Sequence, residues 1–173
     1  MTPNSHSGGR NTTGTDQALT TLSEGDSLPT HNPVQIKSCP WCRKTLDYNN
    51  YKVSKDEHAS HATRVLNIYC SDDECVFGLK GEIGKLPIFL VDEDLYNYRP
   101  TFVIGTVDKF ANLPWNEEVG NLFNIGHDDP APELIIQDEL HLMSGPLGTI
   151  AGLYETAIDI LCQQNGCRPK VIA

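Results

Sequence analysis

The stretch LIIQDELH at residues 134–141 decides the fold class. Its apolar, β-branched start predicts a short buried strand, which ends at two adjacent acids, Asp138 and Glu139. Open α/β sheets place their ligands at such strand ends. In a nucleotide-hydrolysing site the first acid can hold the Mg²⁺ of the nucleotide, and the second can orient or deprotonate the attacking water. His141 can then report the phosphate state through hydrogen bonds. The alternative is a strand that ends in solvated charge.

The segments around this strand alternate between strand and helix patterns. Residues 101–105 (TFVIG) predict a buried strand that leads straight into a helix at 106–110. From 150 to 161 the apolar residues recur at spacings of three and four, which predicts an amphipathic helix. Residues 170–173 then predict a third apolar strand. This order predicts an α/β fold with a parallel sheet, and a chain that ends inside a core strand is expected to be a fragment.

Two other stretches look like parts of a nucleotide site. Residues 88–94 (IFLVDED) also form an apolar run that ends in acids, but they lead only to a connector, whereas Asp138 precedes a helix and a new strand. Gly78 and Gly84 suggest a phosphate loop, but five residues separate them where four are required. Leu86 also stands where Ser or Thr should bind Mg²⁺. The sequence therefore predicts no phosphate loop, and this glycine-rich stretch is assigned to the cysteine module described next.

Four of the six cysteines form two pairs with metal-ligand spacing. The pairs are Cys39 and Cys42, then Cys70 and Cys75. Two such chelating turns can converge on one tetrahedral ion, and four thiolates suit a closed structural zinc site. The alternatives are buried thiols without a metal and a redox pair at the first two positions.

Other potential ligands have weaker patterns. His58 and His61 could replace the second cysteine pair, but their spacing is too short for a zinc finger with two cysteine and two histidine ligands, which favours surface histidines. Cys162 and Cys167 bracket the end of the predicted helix and are interpreted as buried or free thiols.

The composition excludes several classes of protein. The chain has 173 residues, a net charge of −10, 39% hydrophobic residues and a mean hydropathy of −0.34. No apolar run approaches the ~20 residues of a membrane span, and the start of the sequence has no secretory signal pattern, so a cytoplasmic protein without membrane partners is expected. The acidic balance disfavours nucleic-acid binding by bulk charge. However, Arg43, Lys44 and Lys52 lie near the first cysteine pair, so a local basic face remains open.

Three regions are predicted along the chain. Residues 1–32 form a flexible polar segment with at most a short helix around 16–22. Residues 33–86 form the small zinc-binding insertion with its four cysteine ligands. Residues 87–173 form the α/β part.

Four stretches carry a resemblance to a known family. They are PTFVIGTVDKFA at 100–111, PELIIQDELHL at 132–142, GPLGT at 145–149 and YETAID at 154–159. Together they resemble superfamily 2 helicases of the DEAD/DEAH type. In particular they resemble the large helicase subunit of DISARM-type anti-phage systems, which carries a similar cysteine insertion that opens with a CPWC-like knuckle. The resemblance covers roughly residues 33–173.

The resemblance implies part of a first RecA-like motor domain, of the P-loop NTPase type, with a zinc-ribbon insertion. It implies a DExH motif in which Asp138 binds Mg²⁺ and ATP, with Glu139 and His141 as further catalytic residues. It also implies that Thr106 and Lys109 bind a phosphate of DNA or RNA at a helix N-terminus. The intact protein would be an ATP-dependent helicase or translocase, with phage defence and other defence-system subunits as its context.

The sequence also departs from this family pattern. The Walker A lysine, the Ser-Ala-Thr motif expected after Ala173, and the second RecA domain with its arginine finger are absent. The isolated chain is therefore predicted to have no ATPase activity. One alternative function is a non-catalytic zinc-ribbon module that binds nucleic acid or protein on a degenerate α/β scaffold. Another is a metal-dependent hydrolase that adds His127 and Asp128 to the carboxylate box.

Overall fold

The computed structural model describes residues 12–25, 32–55, 64–106, 116–138, 146–163 and 168–172, without the side chains of 146–151. The chain divides into two compact units, Met1–Leu95 and Tyr96–Ala173. The helices and strands are α1 (Thr12–Ser23), β1 (Tyr51–Lys55), β2 (Arg64–Ile68), α2 (Asp92–Tyr98), β3 (Leu134–Ile136), α3 (Pro146–Cys162) and β4 (Lys170–Ile172). Short 3-10 helices cover Tyr48–Asn50 and Glu117–Phe123. None of the described helices has the length and apolar character needed to cross a membrane.

The first unit is built on an antiparallel hairpin. β1 pairs with β2 from Tyr51 opposite Ile68 to Lys55 opposite Arg64. β2 is buried on both faces, and Val65, Leu66 and Ile68 are each at most 2% exposed. The core of this unit includes three of the paired cysteines as well as apolar side chains. Its buried members are Leu19, Cys39, Leu46, Tyr51, Leu66, Ile68, Cys70, Cys75, Leu86 and Val91.

Helix α1 lies against this hairpin and is longer than the short helix expected at 16–22. The backbone N–H of Thr12 donates a hydrogen bond of 3.0 Å to Glu93 Oε2, which places a carboxylate at the helix N-terminus, where the helix dipole favours negative charge. Asp16 forms a 2.6 Å ion pair with Arg64 on β2. Leu19 enters the core. Residues 12–23 therefore differ from the expected polar loop, because one apolar residue and two charged contacts attach the helix to the hairpin.

The acids of the stretch at 88–94 have structural roles. They occupy the first turn of α2 and do not end a sheet strand. Asp94 is fully buried, and its Oδ2 accepts a hydrogen bond of 3.1 Å from the backbone N–H of Leu66. Val91 is 1% exposed. The first unit thus extends to Leu95, beyond the predicted boundary at 86, because this stretch completes its core.

The second unit contains a β-α-β element. β3 and β4 pair in parallel, with Ile135 opposite Val171, and helix α3 lies between them in the sequence. The ladder is extended by two backbone bonds, from Gln137 N–H to the Ile172 carbonyl at 2.8 Å and from Lys170 N–H to the Glu133 carbonyl at 2.7 Å. The predicted strand, helix and strand over residues 134–172 are therefore confirmed.

A RecA-like parallel sheet is not shown. Among the described residues, the parallel sheet has two strands. The strand predicted at 101–105 is wrong, since this segment has bends and irregular backbone, with Phe102 74% exposed and Ile104 84% exposed. A central strand requires hydrogen-bonded neighbours along both edges, and no described strand pairs with this segment. The apolar, β-branched composition was therefore insufficient to make it a strand.

Candidate metal centre

The first cysteine pair lies in a tight knuckle. The backbone N–H of Arg43 donates to the Cys39 carbonyl at 2.9 Å, and the Cys39 N–H donates to the Lys44 carbonyl at 2.8 Å. Ser38 and Thr45 form an antiparallel bridge that closes the base. Arg43 has a φ of 66°, so the turn uses a left-handed residue to reverse the chain. This local geometry brings Cys39 and Cys42 to the same side of a short loop.

The second pair lies in a loop where backbone segments approach closely. The Cys70 N–H donates to the Phe77 carbonyl and the Gly78 N–H to the Cys75 carbonyl, each at 2.8 Å. A Cβ atom added at Gly81 would lie 2.2 Å from the Cys75 carbonyl oxygen, and one at Gly78 would lie 2.3 Å from the Asp72 oxygen. Only residues without a side chain fit these positions. The glycines at 78–84 therefore shape the cysteine loop, as predicted.

The two loops bring four sulfur atoms together. The Sγ atoms of Cys39, Cys42, Cys70 and Cys75 all lie within 4.8 Å of one another. Among the described residues, this is the group of Cys, His and acidic side chains close enough to hold a metal ion. Cys39 is fully buried and Cys42 is half-buried. The predicted ligand set thus comes together in space although 27 residues separate its two halves in sequence.

This geometry fits a metal ion better than a disulfide. The Sγ atoms of Cys42 and Cys70 are 3.3 Å apart, far beyond the ~2.05 Å of a disulfide bond, and all four side chains are free thiols. In a tetrahedral zinc site with Zn–S bonds of about 2.3 Å, neighbouring sulfurs lie about 3.8 Å apart. Small side-chain adjustments therefore suffice for these four sulfurs to surround an ion. Four sulfur ligands leave no open position for chemistry, so the arrangement is compatible with a structural zinc.

The surroundings of the sulfurs affect their ionisation. Burial acts to raise the pKa of Cys39, but hydrogen bonds from the backbone N–H groups of Cys42 and Trp41 outweigh it and lower the pKa to about 7. Burial raises the pKa of Cys70 to about 12. A bound cation favours the thiolate at every position, because metal binding releases the thiol protons. The backbone donors of the first knuckle favour the same charged form.

Among the other candidate ligands, the structure describes Cys162, which is not part of this cluster. Cys162 is buried at the end of α3, where burial and then the charge of Asp159 raise its thiol pKa to about 11. This agrees with its interpretation as a buried thiol. Cys167, His58 and His61 lie outside the described residues.

The predicted nucleotide and nucleic-acid residues are described only in part. Asp138 is exposed and follows the end of β3 by two residues, at the carboxyl edge of the parallel pair. Thr106 is exposed on irregular backbone. Glu139, His141 and Lys109 lie outside the described residues, so their grouping into one site stays a prediction.

Trp41 is a feature of the knuckle to which the sequence pattern assigned no role. It lies between the candidate ligands Cys39 and Cys42, yet its side chain is 69% exposed. Its ring meets the ring of Phe77 edge-on, with centroids 6.1 Å apart. The sequence signal that could have found it is a large aromatic residue inside a C-x2-C pair, because the sulfur atoms on either side turn toward the cluster and leave little room there for the ring.

A comparison with curated proteins shows that this chain is similar to a protein of a phage-defence system. The chain is 36% identical to the DISARM protein DrmA of Bacillus paralicheniformis over 174 aligned positions, which cover 80% of this chain. This identity supports the conclusion that the chain is related to DISARM proteins. The aligned part spans 15% of the length of that relative. No protein-family profile and no solved structure matches the chain.

Proposed function

We propose that the first unit is a structural zinc module of a DISARM-type phage-defence protein. The observation that carries this proposal is the convergence of the sulfur atoms of Cys39, Cys42, Cys70 and Cys75 within 4.8 Å. Zinc suits such a site because it accepts four soft thiolates in tetrahedral geometry and has no redox chemistry of its own. The phage-defence context is proposed from the relationship to the DISARM protein DrmA.

The position of the cysteines gives the metal a folding role. Cys39, Cys70 and Cys75 belong to the same buried cluster as Leu46, Ile68 and the other core residues of the unit. The loops that carry them have little regular secondary structure. Metal binding then contributes directly to folding, since the site forms only when the two loops meet. The module holds its shape around the ion and presents its surface residues in fixed positions.

The test is elemental analysis of metal-replete 173-residue protein. We expect about one zinc per chain, since four thiolates complete one tetrahedral site. Cys42→Ser should lower the zinc content strongly, whereas Cys162→Ala, which removes a buried thiol outside the cluster, should leave it unchanged. Less than about half a zinc per chain in the unmodified protein would contradict the proposal.

As a second candidate function, we propose that the second unit belongs to an ATP-dependent helicase or translocase motor. The specific observation in its favour is the position of Asp138, two residues after β3, the first strand of the β-α-β element, at the strand end where α/β proteins bind nucleotides. In this proposal Asp138 binds the Mg²⁺ of ATP, Glu139 activates water, and His141 senses the phosphate. Thr106 and Lys109 would contact a phosphate of DNA or RNA.

This motor proposal has two tests. The 173-residue chain should show no ATP turnover, because a magnesium ligand without a phosphate loop leaves the triphosphate unanchored. In a full-length DISARM protein carrying this sequence, Glu139→Gln should abolish hydrolysis and spare ATP binding, since it keeps the shape and removes the base. Hydrolysis that survives Glu139→Gln would contradict the role of this residue.

Lys109 is tested separately. In the same full-length protein, Lys109→Ala should weaken binding to single strands of every sequence, because phosphate contacts carry no base information. It should also lower the salt dependence of binding by about one phosphate contact. Unchanged salt dependence would remove the assignment of Lys109 as a phosphate contact.

A further inference from the structure

The first cysteine knuckle presents an exposed aromatic ring in a fixed position. Trp41 is 69% exposed, and its edge-on contact with Phe77 supports the ring from one side. Its backbone is held between two proposed metal ligands. An indole in this setting loses little conformational freedom on binding a partner. The faces of such rings are good stacking platforms for unpaired nucleic-acid bases.

Three cations lie within four residues of Trp41 in the sequence, two of them on the same knuckle. Lys37, Arg43 and Lys44 are all exposed, and residues 36–46 contain no acid. Within the described part of the chain, none of the three forms an ion pair. By contrast, Lys80 on the second loop is paired with Asp73. In a chain of net charge −10, three neighbouring cations without a described ion pair are a local departure from the overall acidity.

The backbone at Arg43 strengthens the case for a role of its side chain. Its φ of 66° lies in the left-handed region, where glycine is the residue of least strain. The position nevertheless carries an arginine. Because the backbone conformation would favour glycine, the reason for an arginine here must lie in its side chain. Glycine at this position would remove the charge and suit the turn, which makes Arg43→Gly a variant that separates charge from folding.

We propose that Trp41, Arg43 and Lys44 bind single-stranded nucleic acid, with a base stacked on the indole and neighbouring phosphates beside the two cations. A single strand fits because its bases are unstacked and can offer their faces, whereas duplex bases are covered by their neighbours. The surface lies on the zinc module and is separate from Thr106 and Lys109. The proposal rests on the metal-holding knuckle proposed above, because the knuckle sets the position of the ring.

Fluorescence anisotropy with labelled oligothymidylate and oligouridylate tests this proposal on the zinc-loaded 173-residue protein. Trp41→Ala should weaken binding about tenfold or more, as expected for loss of one stacked base, and Trp41→Phe should retain most of it. Arg43→Gly combined with Lys44→Gln should lower the slope of log K against log salt by about 1.4, or about 0.7 for each single-strand phosphate contact. Lys80→Gln is the matched control and should leave both affinity and slope unchanged. The two oligonucleotides show whether the surface prefers DNA or RNA.

Zinc content measured on each variant distinguishes a loss of nucleic-acid binding from a loss of the metal. The cations could instead offset the net charge of a zinc tetrathiolate, in which case removing them lowers zinc content and leaves the salt slope of oligonucleotide binding unchanged. Oligonucleotide binding by zinc-loaded protein that is insensitive to Trp41→Ala, or as tight on a duplex as on single strands, overturns the proposal and leaves the zinc module intact. A chain without zinc refutes the metal site first.

Discussion

The two units of this chain differ in how deeply they bury the apolar residues named here. In the first unit, Leu46, Tyr51 and Ile68 are at most 3% exposed. In the second unit, the strand residues Leu134 and Ile136 are 53% and 63% exposed. The strands β3 and β4 of the second unit have continuous apolar sequences, which are typical of strands buried on both faces. In the part of the chain that the structure describes, these strands remain largely exposed. The first unit is covered by its own loops and α1.

The metal site proposed for the first unit gives a reason for this difference. The loops at 38–45 and 70–78 have few backbone bonds to the hairpin, yet their cysteines enter its core. Four convergent ligands can hold such loops where apolar contacts alone are few. The β-α-β element of the second unit relies on a regular pattern instead, and its strands pair with each other over three residues.

The largest expected effect comes from breaking the metal cluster. We expect Cys70→Ser, or a chelator added to the unmodified protein, to unfold residues 34–86 more than residues 116–172. The reason is that structural zinc contributes about 10–16 kcal/mol of apparent binding free energy in zinc-finger peptides. Hydrogen exchange followed by mass spectrometry of peptides from each unit measures this. Equal loss of protection in both units would show that the metal does not stabilise the first unit selectively.

A matched pair of isoleucines tests the difference in burial directly. Ile68 is fully buried in the first unit, whereas Ile104 is 84% exposed in the second. We expect Ile68→Ala to lower the free energy of unfolding by about 2–5 kcal/mol and Ile104→Ala to change it by no more than about 0.5 kcal/mol. Urea unfolding of the zinc-loaded variants checks both values. A large cost at Ile104 would mean that this side chain is buried in solution.

Two glycines give a second pair with opposite expected signs. Gly81→Ala places a methyl group against the Cys75 carbonyl oxygen and should destabilise the first unit by about 1–3 kcal/mol. Gly152 lies within α3, and outside its neighbours and the backbone of that helix no described atom lies within 4 Å of its added methyl group. Gly152→Ala should therefore stabilise the second unit by about 0.5–1 kcal/mol, since alanine favours the helix. Thermal unfolding, with zinc content as a control, measures both. Similar effects at the two positions would contradict the close packing at Gly81.

The smallest expected effect concerns a buried hydroxyl. Tyr51 Oη accepts a hydrogen bond of 2.9 Å from the Ile36 N–H and donates one of 2.8 Å to the Ile36 carbonyl. Tyr51→Phe removes both bonds and should cost about 1–2 kcal/mol. Thr156→Ala is the control, since it removes an exposed hydroxyl bond to the Gly152 carbonyl on α3 and should change the stability by no more than about 0.5 kcal/mol. Equal costs for the two variants would mean that burial does not decide the value of these bonds.

The sequence predicted which four cysteines come together, and it predicted the sheet only in part. The spacing of Cys39 and Cys42, and of Cys70 and Cys75, is a local property that decides which sulfurs can chelate together, and the structure brings these residues together. The strand, helix and strand at 134–172 also follow from local periodicity. The strand predicted at 101–105 is wrong because strand formation depends on neighbours that a residue pattern does not contain. The roles of Glu139, His141 and Lys109 stay predictions.

By itself, the sequence determined the two cysteine pairs, the β-α-β order and the position of Asp138 after a strand, because each depends on spacings of a few residues. Only the tertiary structure decided that α1 packs on the hairpin and that Asp94 accepts a hydrogen bond from a buried backbone N–H. It also decided that Trp41 remains exposed on the knuckle. These features depend on contacts between residues far apart in the chain. Hydrophobicity shows which side chains favour burial, but the partner that buries them, or leaves them open, is set by the packing of distant segments.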